Sequence, residues 1–232
     1  MKTIGLIGGM SWESTIIYYK IINEVTKARL GGFHSSKCIL YSVDFQEIEE
    51  CQVSGDWEKS GELLAEAALS LEKAGADLII ICTNTMHKVI DIIQNKITIP
   101  ILHIAEATAS ELVKQGIKKV ALLGTKYTMQ QDFYKSKLFE AGLEVIIPGE
   151  DDTTLINNTI YQELCLGIIS QKSKSEFLRI IHSLAEEGAE GIILGCTEIG
   201  LLVGQQDTSV PLFDTTLIHA TKAAMSSIEG VS

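Results

Sequence analysis

Apolar residues fall in two alternating kinds of run along this chain. Short continuous runs read as buried strands: "TIGLIG" (3–8), "CILYSVD" (38–44), "DLIIIC" (77–82), "KVALLG" (119–124), "LEVIIP" (143–148), "GIILGC" (191–196) and "VPLFD" (210–214). "IPILHI" (99–104) is a further short extended piece. Between them lie longer stretches with helical spacing, at 13–29, 56–74, 85–95, 105–115, 129–141, 153–168, 174–187 and 216–228. Gly75 is placed to stop the helix of 56–74. Strands that are apolar throughout must be covered on both faces, which parallel sheets achieve with crossover helices. The pattern therefore predicts an α/β fold.

The chain also repeats itself. "GADLIIICTNT" (75–85) aligns without gaps to "GAEGIILGCTE" (188–198), 113 residues on. "KTIGLIGG" (2–9) aligns to "KKVALLGT" (118–125), and "IPILH" (99–103) to "VPLFD" (210–214), at offsets of 116 and 111. Three blocks in the same order at nearly one offset predict two similar α/β lobes related by internal pseudo-symmetry, each a mostly parallel sheet flanked by helices. The expected division is 1–98 plus 208–232 for the first lobe and 99–207 for the second, with the active site in the cleft between them. Ligands of open parallel sheets bind outside the carboxyl ends of the strands.

The repeat bears on the chemistry of "ICTNTMHK" (81–88). The alignment pairs Cys82 with Gly195 and Thr83 with Cys196. Successive strand residues point to opposite faces, so Cys82 and Thr83 are not expected to share one cleft. If Cys196 faces a ligand, Thr83 is its counterpart and Cys82 packs into the core. Two proton-handling groups on either side of one carbon have the geometry of a cofactor-independent racemase or epimerase.

Composition narrows the field. The 232 residues are 46% hydrophobic, enough for a sizeable core. The net charge of −11 repels phosphate backbones and anionic membranes, so neither nucleic acid nor membrane is an expected partner. The five cysteines lie far apart without zinc-site spacing, which fits reduced thiols in a cytoplasm and no metal. The N-terminal apolar run breaks at Gly8-Gly9, too early for a signal peptide, and no run approaches membrane-spanning length. Gly5, Gly8 and Gly9 are spaced G-x-x-G-G rather than as a dinucleotide fingerprint.

Five stretches, "GLIGGMSWEST" (5–15), "VDFQEIEECQ" (43–52), "CTNTMHK" (82–88), "LLGTKYTM" (122–129) and "GCTEIGLLV" (195–203), together resemble the aspartate/glutamate racemase family over essentially the whole chain. The resemblance implies a two-lobed α/β homodimer working on a small acidic amino acid without pyridoxal phosphate or metal. Its pattern has a cysteine before Asn-Thr in the first lobe and one before Thr-Glu in the second. Cys196 matches the second. Thr83 occupies the first, as in the subgroup of L-aspartate/L-glutamate-specific racemases. The resemblance further implies that Met10 and Gln52 line the substrate pocket. Gln52 and Cys165 stand in regions where many members carry the arginine and lysine that hold a distal carboxylate.

Residue chemistry assigns roles to the pair. A thiol of pKa about 8.5 gives a thiolate at pH 7 for roughly 2 kcal/mol, so Cys196 is expected to be the base. A threonine alkoxide costs on the order of 12 kcal/mol, which makes Thr83 a proton donor or the holder of a donating water. Asn84, Thr85 and Thr197 supply side-chain donors for a substrate carboxylate, or act as helix caps, or both. Glu198 is expected to accept from the substrate ammonium. His87, four residues past Thr83, can reach the same turn, with a structural role equally open. His34, His103, His182 and His219 read as structural. The rival readings are a single-cysteine isomerase or decarboxylase of the same superfamily and a non-catalytic amino-acid-binding protein.

Overall fold

A computed structural model describes residues 1–229. The chain forms two compact units. Unit 1 comprises Met1–His103 and the described chain from His219 onward, and unit 2 comprises Ile104–Ile218.

Unit 1 contains β1 (Ile4–Gly8), α1 (Trp12–Leu30), β2 (Cys38–Ser42), α2 (Phe45–Ser54), α3 (Trp57–Lys73), β3 (Leu78–Ile81), a 3-10 turn at Thr85–Val89 and α4 (Ile90–Gln94). Its sheet is parallel in the order β2-β1-β3. Alternation divides the strands between two cores. Ile4, Leu6, Leu78, Ile80 and Cys82 pack with Tyr18 and Ile22 of α1. Ile7, Ile79 and Ile81 pack with Leu64, Ala68 and Leu71 of α3.

Unit 2 contains α5 (Ile104–Lys114), β4 (Lys119–Gly124), α6 (Lys126–Gln130), α7 (Asp132–Glu140), β5 (Glu144–Ile146), α8 (Glu150–Gln162), α9 (Gln171–Glu186), β6 (Gly191–Gly195), α10 (Ile199–Leu202) and β7 (Leu212–Asp214). Its sheet is parallel in the order β5-β4-β6-β7. Leu123, Ile192, Leu194 and Cys196 pack with Phe177 and Ile181 of α9. Val120, Leu122 and Ile193 pack with Leu112 of α5 and Tyr134 of α7. The last helix, α11 (Thr215–Ile228), begins in unit 2 and carries the chain back into unit 1.

The pairing registers reproduce the internal repeat. Ile4 lies opposite Leu78, as Val120 lies opposite Gly191. Ile7 lies opposite Ile81, as Leu123 lies opposite Leu194. Each of these pairs maps onto its copy by the offsets of 116 and 113 seen in the sequence. Gly75 and Gly188, equivalent in the alignment, both have φ +95°. That left-handed conformation favours glycine and turns the chain after the preceding helix, where Gly75 was expected to act.

Three features differ from the sequence reading. "IPILH" bridges to β3 of its own unit at Ile79–Ile101, and β7 pairs with β6 of its own unit. Each extended piece thus finishes the sheet it follows, and the breaks fall after His103 and Ile218 rather than at 98/99 and 207/208. The strand reading of 99–104 also shrinks to that single bridge, with Ile104 opening α5. In addition, residues 45–54, assigned to no element from the pattern, form α2. Asp44 caps it by accepting from the Gln46 N–H at 3.1 Å, and Gly55 ends it in a left-handed conformation. Among the described residues no helix is long and apolar enough to cross a membrane.

Candidate active site

The two turns singled out by the repeat follow directly on β3 and β6. Cys82 is fully buried in the core shared with α1, on the same face as Leu78 and Ile80. Burial pushes its thiol far above the ordinary cysteine range, so it remains an inert apolar group. Thr83, one residue on, is only half-buried. In unit 2 the position of Cys82 is Gly195, and the packing requires it. A Cβ there would lie 2.6 Å from the Leu123 carbonyl oxygen. Cys196 follows and is 8% exposed.

Around Thr83, Asn84 and Thr85 are buried. Asn84 stands at the N-cap of the 3-10 turn without a side-chain capping bond, so that alternative role is not what its side chain performs here. Met10 is buried in the same core as Met86, and the buried Gln52 donates from Nε2 to the Met86 sulfur at 3.1 Å. Met10 follows Gly9, whose φ of +94° and contact with the Val43 carbonyl leave no room for a side chain. The structure thus puts Met10 in one core with Met86, three residues past Thr83, and Gln52 in contact with that methionine. Met86 was not singled out from the sequence, where a methionine in an apolar stretch carries no signal of its own.

In unit 2 the chemistry is concentrated on one carboxylate. The Cys196 thiol donates to Glu198 Oε2 at 3.0 Å, and the Thr197 hydroxyl donates to the same oxygen at 2.8 Å. All three residues are buried. Burial, then the Glu198 charge, then Cys165 push the Cys196 thiol well above its usual range. This corrects the roughly 2 kcal/mol expected for its thiolate, which assumed a solvated cysteine. The resting thiol is protonated and points at an acceptor. Glu198, expected to serve a substrate ammonium, accepts a hydrogen bond from the thiol. Position i+2 from a cysteine after a strand is the sequence signal for that contact, but strand alternation alone does not predict it.

Behind the Thr83 turn, three of the five histidines come together, although the sequence scatters them. The His87 ring lies 4.7 Å from the His103 ring and 5.8 Å from that of His219. His87 Nδ1 bonds the Thr83 carbonyl at 2.9 Å, and His219 Nε2 bonds the Leu102 carbonyl at 2.9 Å. Carbonyls only accept, so both of these nitrogens carry hydrogens. His219 Nδ1 therefore accepts from the Tyr18 hydroxyl, at 3.0 Å. Burial and the neighbouring rings keep His87 and His219 neutral. His219 is lowered to about 3, and His87 falls well below the usual histidine range.

Comparison with known proteins adds a family. The family described as Asp/Glu/Hydantoin racemase matches residues 7–223. A Yersinia pestis protein provisionally designated an Asp/Glu racemase is 57% identical, with a TM-score of 0.91 over 98% of this chain and 100% of its own. An aspartate racemase homologue from Pyrococcus horikoshii is 41% identical, with a TM-score of 0.84 over 98% of this chain and 99% of its own. The broad specificity amino-acid racemase RacX of Bacillus subtilis is 24% identical over 216 residues, 92% of each chain.

Proposed function

We propose that this chain, which belongs to the Asp/Glu/hydantoin racemase family, is a cofactor-independent racemase that exchanges the α-proton of aspartate and/or glutamate by two-base chemistry, preferring the L enantiomer. The observation that carries the reading is the Cys196 thiol hydrogen-bonded to buried Glu198 at the end of β6, at the position the repeat equates with Thr83. The names of the Yersinia and Pyrococcus relatives support the acidic substrate.

The protonated resting thiol sets the order of events. Glu198 Oε2 takes the Cys196 proton, and the thiolate then removes the α-proton from the L substrate. Thr83 delivers a proton to the opposite face, and the proton held on Glu198 returns through solvent to restore the hydroxyl. Moving a proton within the thiol–carboxylate pair leaves its net charge unchanged, which is how a buried pair can supply a base at low cost. Starting from the D enantiomer, Thr83 would have to be the base, at about 12 kcal/mol for its alkoxide. Racemisation has an equilibrium constant of one, so kcat/KM must match in the two directions. The L preference then appears in kcat and KM taken separately.

Chiral separation of L-aspartate, L-glutamate and neutral amino acids after incubation in deuterium oxide tests the reading. Deuterium is expected in both enantiomers of an acidic substrate, and Cys196→Ala should lose the exchange. Full exchange in Cys196→Ala would overturn the assignment of the base. Exchange without inversion would indicate the single-thiol isomerase, and binding without exchange an amino-acid-binding protein. Turnover of neutral amino acids would indicate the wider range named for the Bacillus relative.

A further inference from the structure

The histidine cluster is not explained by two-base chemistry alone. His87 engages both carbonyls of the Thr83 turn. Its backbone N–H donates to the Asn84 carbonyl at 3.1 Å, and its ring Nδ1–H to the Thr83 carbonyl at 2.9 Å. The ring has little freedom to leave, with His103 and His219 against it and His219 itself held by Tyr18 and the Leu102 carbonyl. These contacts come from four separate parts of the chain, all within unit 1.

The second turn has no side chain at the corresponding position. The repeat places Gly200 at the position of His87, and there the Cys196 carbonyl accepts the Ile199 backbone N–H at 3.1 Å. A side-chain tie is therefore not a general requirement of this strand-to-turn geometry. It accompanies the turn that carries the threonine.

We propose that His87 is a positioning residue for Thr83, its imidazole pinning the Thr83 peptide so that the hydroxyl is aimed for proton delivery. The inference rests on the two-base reading above. Threonine is β-branched and stiff at χ1, so the orientation of its peptide largely decides where the hydroxyl points. A hydroxyl is also a far weaker acid than a thiol, so it delivers a proton only when already in reach of the carbanion. Misplacement by about 1 Å can cost on the order of 100-fold in rate. Cys196, with an unbranched side chain and a carboxylate partner, has less need of such a tie. Neutrality of His87 and His219 suits the role, because protonated rings this close would repel one another.

The test measures two rates with L-aspartate and L-glutamate in deuterium oxide: α-proton exchange within the L enantiomer, which needs only Cys196, and inversion, which also needs Thr83. His87→Leu is expected to lower inversion roughly 10- to 100-fold while exchange falls less than about threefold, with KM little changed. His87→Asn places an amide donor at the Nδ1 position and should restore most of the inversion. His87→Gln places it at the Nε2 position and should not. In a Thr83→Ala background, His87→Leu should cause no further loss. Inversion at the wild-type rate in a folded His87→Leu protein would overturn the proposal. So would an equal fall in exchange and inversion, or equal rescue by Asn and Gln. Wild-type inversion in Thr83→Ala would instead remove the two-base reading itself.

Discussion

The turn after β3 and the turn after β6 begin from equivalent strands in equivalent register, and they diverge within two residues. In unit 2 the position holds the Cys196 thiol, and its hydrogen-bond partner Glu198 is a neighbour in sequence, two positions on. In unit 1 the position holds the Thr83 hydroxyl, and the cluster that bonds the Thr83 carbonyl is assembled from distant segments: His87, His103, His219 and Tyr18. The difference follows from acidity. A buried thiol needs somewhere to put its proton, and one carboxylate meets that need. A hydroxyl seldom parts with its proton, so its environment can contribute mainly placement. On the two-base proposal, one fold, duplicated, supports two kinds of proton handling.

Glu198→Gln is the largest expected break in this comparison. It removes the proton acceptor but keeps the shape. Exchange at neutral pH should fall roughly 100-fold, at the scale of a lost general base. The sign makes the test decisive, because the Glu198 charge is among the causes that raise the Cys196 thiol. Removing it lowers the thiol's pKa, so a purely electrostatic Glu198 predicts faster exchange at neutral pH. Exchange rates across a pH series, alongside the thiolate ultraviolet absorbance, would separate the two outcomes.

The next effect is on stability and belongs to the histidine side. His219 titrates near 3 in the folded protein and near 6.5 when unfolded. A depressed histidine contributes stability that is complete above about pH 6.5 and is lost as the pH falls toward 3, because the unfolded chain binds the proton first. His87 acts in the same direction. The urea midpoint should therefore fall between pH 7 and pH 4.5, and His219→Gln should make that dependence shallower. A pH-independent midpoint over this range would contradict a buried neutral His219 and His87.

The smallest effect on activity is expected at Cys82. Cys82→Ala removes a buried sulfur from the core with α1 and should cost about 1–2 kcal/mol of stability while leaving exchange and inversion near wild type. Loss of activity in a folded Cys82→Ala protein would return the first-lobe chemistry to the cysteine and dissolve the pairing of Thr83 with Cys196.

The alternation of apolar runs and the offset repeat are local and periodic, and they determined the α/β class, the two similar sheets and the equivalence of Thr83 with Cys196. They also identified Cys82 as core, because side-chain direction along a strand follows directly from counting. The expected base, the expected donor and Glu198 were all named from single positions and their neighbours. Three things came only from the tertiary structure. The breaks between units depended on which strand each short extended piece would pair with, and pairing is non-local. The protonation of Cys196 depended on burial, since an exposed and an enclosed thiol are written with the same letter. The histidine cluster depended on segments more than a hundred residues apart, as in the bond from His219 to the Leu102 carbonyl. Periodicity records which face a residue belongs to, whereas desolvation and long-range contact exist only after the faces have been brought together.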